Sequence, residues 1–305
     1  MLHTHVSAGD KRRAFRQALA GDATLQFPGA FTPLSAQLIE RHGFDGVYVS
    51  GAVMSAELGL PDIGLTTLAE VAQRSSQISR VTALPTIVDA DTGFGEPMNV
   101  ARTVHVLEDA GVTAIHIEDQ VNPKRCGHLD GKSIVDVETA TKRIKAAVDA
   151  RRDPDFVIIA RTDARAIEGL DGAISRAKAL VDAGAEVIFA EAMESLAEFE
   201  QMVSALPVPV LANMTEFGKS ELFPLSALRD TGVRIVIYPV SLLRLAMGAV
   251  DRGLKTLRQD GHLTAELPSM QTRAQLYDLV DYESYAQFDS DVYSFGETFA
   301  TDHDN

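Results

Sequence analysis

Cysteine is nearly absent from the sequence: 305 residues hold one, Cys126. A single thiol cannot close an intramolecular disulfide and points to a reducing compartment, so a cytoplasmic location is expected. Positive charge is the second shortage. Lys and Arg number 28 against 43 Asp and Glu, a net charge of −15, and a surface of that sign repels nucleic acid and anionic membranes. Long hydrophobic runs are missing too. The best candidate, residues 235–250, is interrupted by Pro239 and Arg244 and falls short of the roughly 20 uncharged apolar residues a membrane span needs. Lys11, Arg12 and Arg13 have no apolar run behind them, so no secretory signal is expected. No linker, low-complexity tract or charge block divides the chain. What remains is ample core material, 46% hydrophobic and 23% charged residues, and one domain over residues 1–305 is expected. An anionic substrate would need a local metal ion or arginine patch to be bound at all.

One pattern recurs four times: a glycine, then a short apolar run. Gly43 precedes Val47-Tyr48-Val49, Gly111 precedes Ala114 to Ile117, Gly184 precedes Val187 to Phe189, and Gly232 precedes Ile235 to Ile237. Each reads as a helix end feeding a buried strand. Between them, Pro85, Pro154 and Pro209 introduce further apolar runs, a position that strands tolerate. With an opening strand near residues 25–31 this makes about eight strands alternating with helical patterns such as 137–148 and 172–181. A parallel (β/α)8 barrel of TIM type is expected, its near-continuous apolar strands covered on both faces. An open doubly wound sheet is the alternative, but no Gly-x-Gly-x-x-Gly turn follows the first strand. Residues 242–305 remain as a C-terminal helical extension, with helices at 242–258 and 272–280. Tyr277, Leu279, Tyr282, Tyr285 and Phe288 give it more apolar surface than solvent favours, which suggests subunit packing.

Polar residues fall at the C-terminal ends of seven of these strands, where barrel enzymes build their sites. They are Tyr48 and Ser50, Asp89 and Asp91, His116 and Glu118, Arg161 and Asp163, Glu191, Asn213 and Thr215, and Tyr238. Asp89 and Asp91 share a face of their strand and would repel one another unless a hard cation joined them. Mg²⁺ suits so few carboxylates, Mn²⁺ being the alternative, with Glu118 or Asp62 steadying its waters. The other reading of the pair is turn capping before Gly93 and Gly95; the place after a barrel strand favours the metal. After the fourth strand comes Lys124-Arg125-Cys126-Gly127-His128. Clustered cations favour thiolate and attract anions, as expected of an active-site loop. Arg161, at a strand end, is the arginine that position singles out for binding a carboxylate.

The segments just quoted, together with Leu58-Gly59-Leu60-Pro61-Asp62, Asp89-Ala90-Asp91-Thr92-Gly93-Phe94-Gly95, Ala212 to Gly218 and Met270-Gln271-Thr272-Arg273, carry a family likeness. The chain resembles the isocitrate lyase and phosphoenolpyruvate mutase superfamily, and within it the 2-methylisocitrate lyases, over nearly its whole length. The resemblance implies Mg²⁺ held by Asp89 and Asp91. It implies substrate contacts from Ser50, Gly51, Ala52, Cys126, Gly127, Arg161, Glu191, Asn213, Met214, Thr215, Arg244 and Arg273. Catalytic roles fall to Cys126, Tyr48, Glu118 and His128. A homotetramer follows, with the C-terminal helix swapped onto a neighbouring barrel, and with it a tricarboxylate substrate. Ala52 and Ala190 depart from the family's usual glycine and proline at those places. The implied chemistry is a retro-aldol cleavage in which Cys126 protonates the departing enolate carbon, with Tyr48 or a metal-bound group as base. Phe189 and Ile237 are expected to line a pocket for a methyl group. The competing activities are isocitrate lyase, 2,3-dimethylmalate lyase, a mutase-type isomerase and an oxaloacetate decarboxylase. The cysteine loop argues against the isomerase, and the absence of large insertions argues against isocitrate lyase.

Overall fold

The four recurring glycines all adopt left-handed backbone, with φ of 73°, 79°, 105° and 87° at Gly43, Gly111, Gly184 and Gly232. A side chain there would be strained, so glycine ends each helix and releases the chain into a strand three or four residues later. The computed structural model describes residues 6–125, 127, 131–218 and 220–294. The strands among them are β1 (Leu25–Pro28), β2 (Val47–Val49), β3 (Thr86–Asp89), β4 (Ala114–Glu118), β5 (Val157–Thr162), β6 (Val187–Ala190), β7 (Val210–Asn213) and β8 (Ile235–Tyr238). All pair in parallel, each with the next in sequence from β2 to β8, and β8 with β1.

The last seam, between β1 and β2, is a single bridge from Gly29 to Tyr48. There the Ala30 amide donates to the Tyr48 carbonyl at 2.9 Å, while the Gly29 amide donates to the Tyr238 carbonyl at 2.9 Å. A β-carbon on Gly29 would sit 2.0 Å from the Pro239 carbonyl oxygen, so only glycine lets the chain pass through the seam. The result is a (β/α)8 barrel of TIM type, nearly closed, as its sequence pattern requires.

Among the described residues ten helices precede the tail: α1 (Ala8–Ala20), α2 (Pro33–Arg41), α3 (Gly51–Glu57), α4 (Leu68–Ser79), α5 (Pro97–Asp109), α6 (Val137–Ala150), α7 (Arg165–Asp182), α8 (Leu196–Ala205), α9 (Leu225–Asp230) and α10 (Ser241–Asp260). The helix expected at 172–181 is the second part of α7, which breaks at Gly169. Alternate strand residues divide two cores. Phe27, Tyr48, Ile87, Ile159, Phe189 and Ile237 belong to the interior cluster, and Val49, Val88, Ile115, Ile158 and Val236 to the layer between strands and helices.

Phe15 of α1 packs edge-on against Phe27, which places α1 over the lower end of the barrel. Arg12 fixes it there. Its guanidinium donates to the Val112 and Glu108 carbonyls at 3.0 and 2.8 Å and to Asp153 at 2.8 Å. Lys11 donates to the Ser79 carbonyl at 2.6 Å. These basic residues cap helix ends, which is favourable for cations.

Beyond α10 come a short 3-10 helix (Thr264–Ser269), α11 (Arg273–Leu279) and α12 (Tyr282–Tyr293). α11 touches α2 through an Arg41–Asp278 ion pair of 2.8 Å. α10 and α12 bury no residue in this chain.

Candidate active site

Period-two alternation carries pairs of inward side chains from six strand ends toward the upper mouth. Tyr48 and Ser50 follow from β2, Asp89 and Asp91 from β3, His116 and Glu118 from β4, Arg161 and Asp163 from β5, Phe189 and Glu191 from β6, and Asn213 and Thr215 from β7. A cavity of about 230 Å³ opens among Tyr48, Ser50, Ala52, Asp89, Arg161, Phe189, Glu191, Asn213, Thr215 and Arg244.

Two carboxylates anchor one side. Asp89 receives the amide of Gly51, first residue of α3, at 3.1 Å and that of Asp91 at 3.0 Å. A β-carbon at Gly51 would meet an Asp89 oxygen at 2.9 Å, so glycine permits this approach. Burial opposes ionisation of Asp89, but the facing cations Lys124 and Arg161 help hold its pKa below the ordinary carboxylate value. Asp91 goes the other way: burial first, then the charge of Asp89, push it up to about 6. Lys124 Nζ lies 2.8 Å from Asp91 and also pairs with Asp62. Glu118 is fully buried, and burial raises its pKa. Neither of its oxygens has a hydrogen bond among the described residues, although Arg161 Nη1 lies 3.2 Å away.

The centre of the floor is Tyr48 and His116. They share a 2.7 Å hydrogen bond. Burial lowers the His116 pKa to about 4, so the imidazole is neutral. Burial, then the charge of Asp89, raises Tyr48 well above the ordinary phenol value. Tyr48 is therefore a protonated phenol and a hydrogen-bond donor, not the free base that its position alone allows.

Arg161 is gripped rather than free. Asp163 holds it bidentately at 3.0 and 3.2 Å, Glu191 lies at 3.7 Å, and its guanidinium covers the Phe189 ring. Arg244, at the start of α10, donates to Thr215 at 3.0 Å and to the Glu216 carbonyl at 2.7 Å, which brings it to the rim.

The loop after β4 leaves and returns side by side. Val121 donates to Ser133 and Val135 to Asp119, each at 2.8 Å. Within it, the Gln120 side chain clamps both backbone groups of Arg125 at 2.9 Å. Gly127 lies on the cavity wall: a β-carbon there would meet Arg161 Nη2 at 2.4 Å and Glu191 Cδ at 2.5 Å. Cys126 and His128 lie outside the described residues.

Several expectations need correction. Met214 has the opposite parity to Asn213 and Thr215; its side chain joins the outer core and its amide bonds the Ile237 carbonyl at 2.9 Å. Tyr238 also faces outward, its hydroxyl accepting from Gln26 at 3.0 Å. Ile237 is one layer too deep to line the cavity. Arg273 stands exposed at the first turn of α11 and is not among the lining residues. Lys124, expected to grip substrate, is already committed to Asp91 and Asp62. Sequence reasoning missed Lys132, whose side chain is only 3% exposed and pairs with Asp163 at 2.7 Å; a lysine in a polar loop carries no local signal of burial.

The donors suit a hard divalent ion. Two buried carboxylates stand side by side with only Lys124 against Asp91, and the Glu118 oxygens, which have no hydrogen bond among the described residues, could accept from water ligands. Among the described residues no group of three or more His, Cys, Asp or Glu is arranged as a full ligand set.

Residues 15–258 match the family model described as phosphoenolpyruvate phosphomutase. The chain is 57% identical to a probable 2-methylisocitrate lyase of Corynebacterium glutamicum, covering 97% of this chain and 96% of that one. It is 47% identical to the 2-methylisocitrate lyase of Escherichia coli, over 90% and 94%. Among solved structures, a 2,3-dimethylmalate lyase superposes with a TM-score of 0.86 at 36% identity, over 95% and 96% of the two chains. A phosphonopyruvate hydrolase bound to oxalate and Mg²⁺ gives 0.83 at 29% identity, over 92% and 98%.

Proposed function

Since the chain belongs to the phosphoenolpyruvate mutase family, we propose that it is a carbon-carbon lyase cleaving 2-methylisocitrate to pyruvate and succinate. The observation that carries this reading is 57% identity to a probable 2-methylisocitrate lyase over nearly the full length of both chains, with 47% to the 2-methylisocitrate lyase of Escherichia coli, against 36% for the dimethylmalate lyase. The cavity chemistry agrees: carboxylates suited to a cation stand on one side, and arginines and Asn213 suited to substrate carboxylates on the other.

Asp89 and Asp91 would hold Mg²⁺, or Mn²⁺ in its place, with Glu118 orienting its water. The ion supplies Lewis-acid stabilisation of negative charge on the oxygens of the pyruvate half. Tyr48 donates a hydrogen bond to the same oxygens. The proton of the 2-hydroxyl passes to a base, a role that the protonated Tyr48 leaves to a group at the Asp89–Asp91 metal site; the C2–C3 bond breaks, C2 becomes the pyruvate carbonyl, and the electron pair at C3 takes up a proton. Cys126, next in sequence to the wall-forming Gly127, is the proposed donor, and His128 of the same sequence motif is a proposed catalytic partner. Arg161, Arg244 and Asn213 bind the succinate carboxylates. Ser50, Gly51, Ala52 and Thr215 shape the walls, Glu191 positions Arg161 and Asn213, and Phe189 supplies the apolar surface for the methyl group.

The same reading makes the protein a cytoplasmic enzyme of propionate catabolism, in the methylcitrate cycle. Its organisation is one barrel domain with residues 242–305 as an extension used in a homotetramer, where the C-terminal helix packs on a neighbouring barrel. Arg273 then belongs to that packing rather than to its own barrel's cavity. No helix among the described residues is long and apolar enough to cross a membrane. NMR of the products formed in D₂O tests the chemistry. Succinate carrying one deuterium, together with unlabelled pyruvate, is expected; succinate without deuterium rules out protonation of C3 from an exchangeable acid.

A further inference from the structure

We infer that Lys132 is a positioning residue that fixes Gly127 against Arg161 and Glu191 and thereby sets the wall of the cavity. Its side chain is buried, 3% exposed, although it stands in a loop. The ammonium donates to two acceptors of different kinds: the Gly127 carbonyl and Asp163 Oδ1, the latter at 2.7 Å. Asp163 is itself fully buried. It also grips Arg161 through both oxygens, and its amide is held by Asp119 at 3.0 Å. One carboxylate rooted in β5 therefore joins the arginine that faces the cavity to the lysine that holds the loop.

The charge balance gives Lys132 a second effect. Glu118, Asp163 and Glu191 all face Arg161, three acids against one guanidinium. Lys132 satisfies part of Asp163 and so leaves more of Arg161 for a substrate carboxylate. The geometry at Gly127 is tight enough for position to matter, because not even a β-carbon fits between its backbone and the Arg161–Glu191 pair. Displacing a wall by about 1 Å can cost on the order of 10²-fold in rate.

The kinetic arm of the test rests on the lyase reading; the exchange arm does not. Lys132→Met keeps the length of the side chain and removes the charge and both bonds. Amide hydrogen exchange in a peptide spanning residues 121–135 is expected to quicken by about tenfold or more, the loss of a buried bonded carbonyl's partner. Peptides from β3 to β7 should exchange as in the parent, and Mg²⁺ affinity should be unchanged. kcat/KM for 2-methylisocitrate should fall by about 10²-fold, and ethylammonium added to Lys132→Ala should restore part of it. If methionine prevents folding, Lys132→Gln, which keeps a donor for Gly127, serves the same comparison with a smaller loss. Exchange in 121–135 equal to the parent's, or faster exchange spread over the whole barrel, would overturn the inference. A parent enzyme that cleaves no 2-methylisocitrate would instead overturn the lyase reading, while the exchange data still decide the role of Lys132.

Discussion

The carboxylates of β3 differ in proton affinity because they share one buried place. Asp89 keeps its charge with the help of Lys124 and Arg161, and Asp91, buried beside that charge, is pushed up to about 6. A proton on Asp91 competes with a metal ion. The pKa is raised, so the ionised form is present above about pH 6 and is lost as the pH falls through it. Mg²⁺ affinity measured by isothermal titration is accordingly expected to be flat from pH 7 to 8 and to drop by about tenfold per unit below pH 6. Equal affinity at pH 5 and pH 7 would contradict the assignment. Asp89→Ala and Asp91→Ala should each abolish turnover with the fold intact, as judged by circular dichroism, since each removes half of the protein's ligand set. Tyr48 and His116 illustrate what position alone leaves open. A tyrosine at a barrel rim can act as base or donor, and the choice follows from burial beside Asp89 and a neutral imidazole, which the sequence does not display.

At the scale of elements, the barrel's two ends divide stability from chemistry. α1 closes the lower end through Arg12, buried to 6% exposure and bonded to the Glu108 carbonyl at the end of α5, the Val112 carbonyl beyond it and Asp153. Arg12→Ala is expected to lower the unfolding free energy by about 2–4 kcal/mol, since it strands buried acceptors, with kcat/KM within about twofold of the parent. Urea unfolding read beside the kinetics checks this; a loss of activity at full stability would contradict it. The barrel itself was legible because each element announces its boundary locally: Gly43, Gly111, Gly184 and Gly232 end helices, and apolar runs start strands. Inward residues were legible wherever parity was counted from a firm strand, as for Asp89, Arg161 and Asn213. Met214 and Tyr238 were misplaced because they sit one residue out of phase. The ion pairs of Lys124 and the role of Lys132 escaped because their partners, Asp62 and Asp163, lie 62 and 31 residues away in sequence, and periodicity carries no information over that distance.

For the molecule as a whole, one face is unfinished in a single chain. Leu245, Met247, Val250, Leu254 and Leu257 of α10 and Phe288 and Val292 of α12 are all exposed, an apolar area that soluble monomers rarely present. Subunit packing of this extension is the proposed remedy. Leu254→Asp with Phe288→Asp is expected to shift the sedimentation coefficient from tetramer toward smaller species, and an unchanged coefficient would contradict it. Substrate choice is the other property of the whole, because the cation side, the arginine side and Phe189 must all engage one molecule. The most direct measurement is kcat/KM for release of 2-oxo acid, with Mg²⁺ and with excess EDTA, over 2-methylisocitrate, isocitrate, 2,3-dimethylmalate and oxaloacetate. The account predicts activity that EDTA abolishes, highest for 2-methylisocitrate and exceeding isocitrate by about 10- to 200-fold, the worth of one methyl group in an apolar pocket. Equal or reversed preference, or full activity in EDTA, would contradict it.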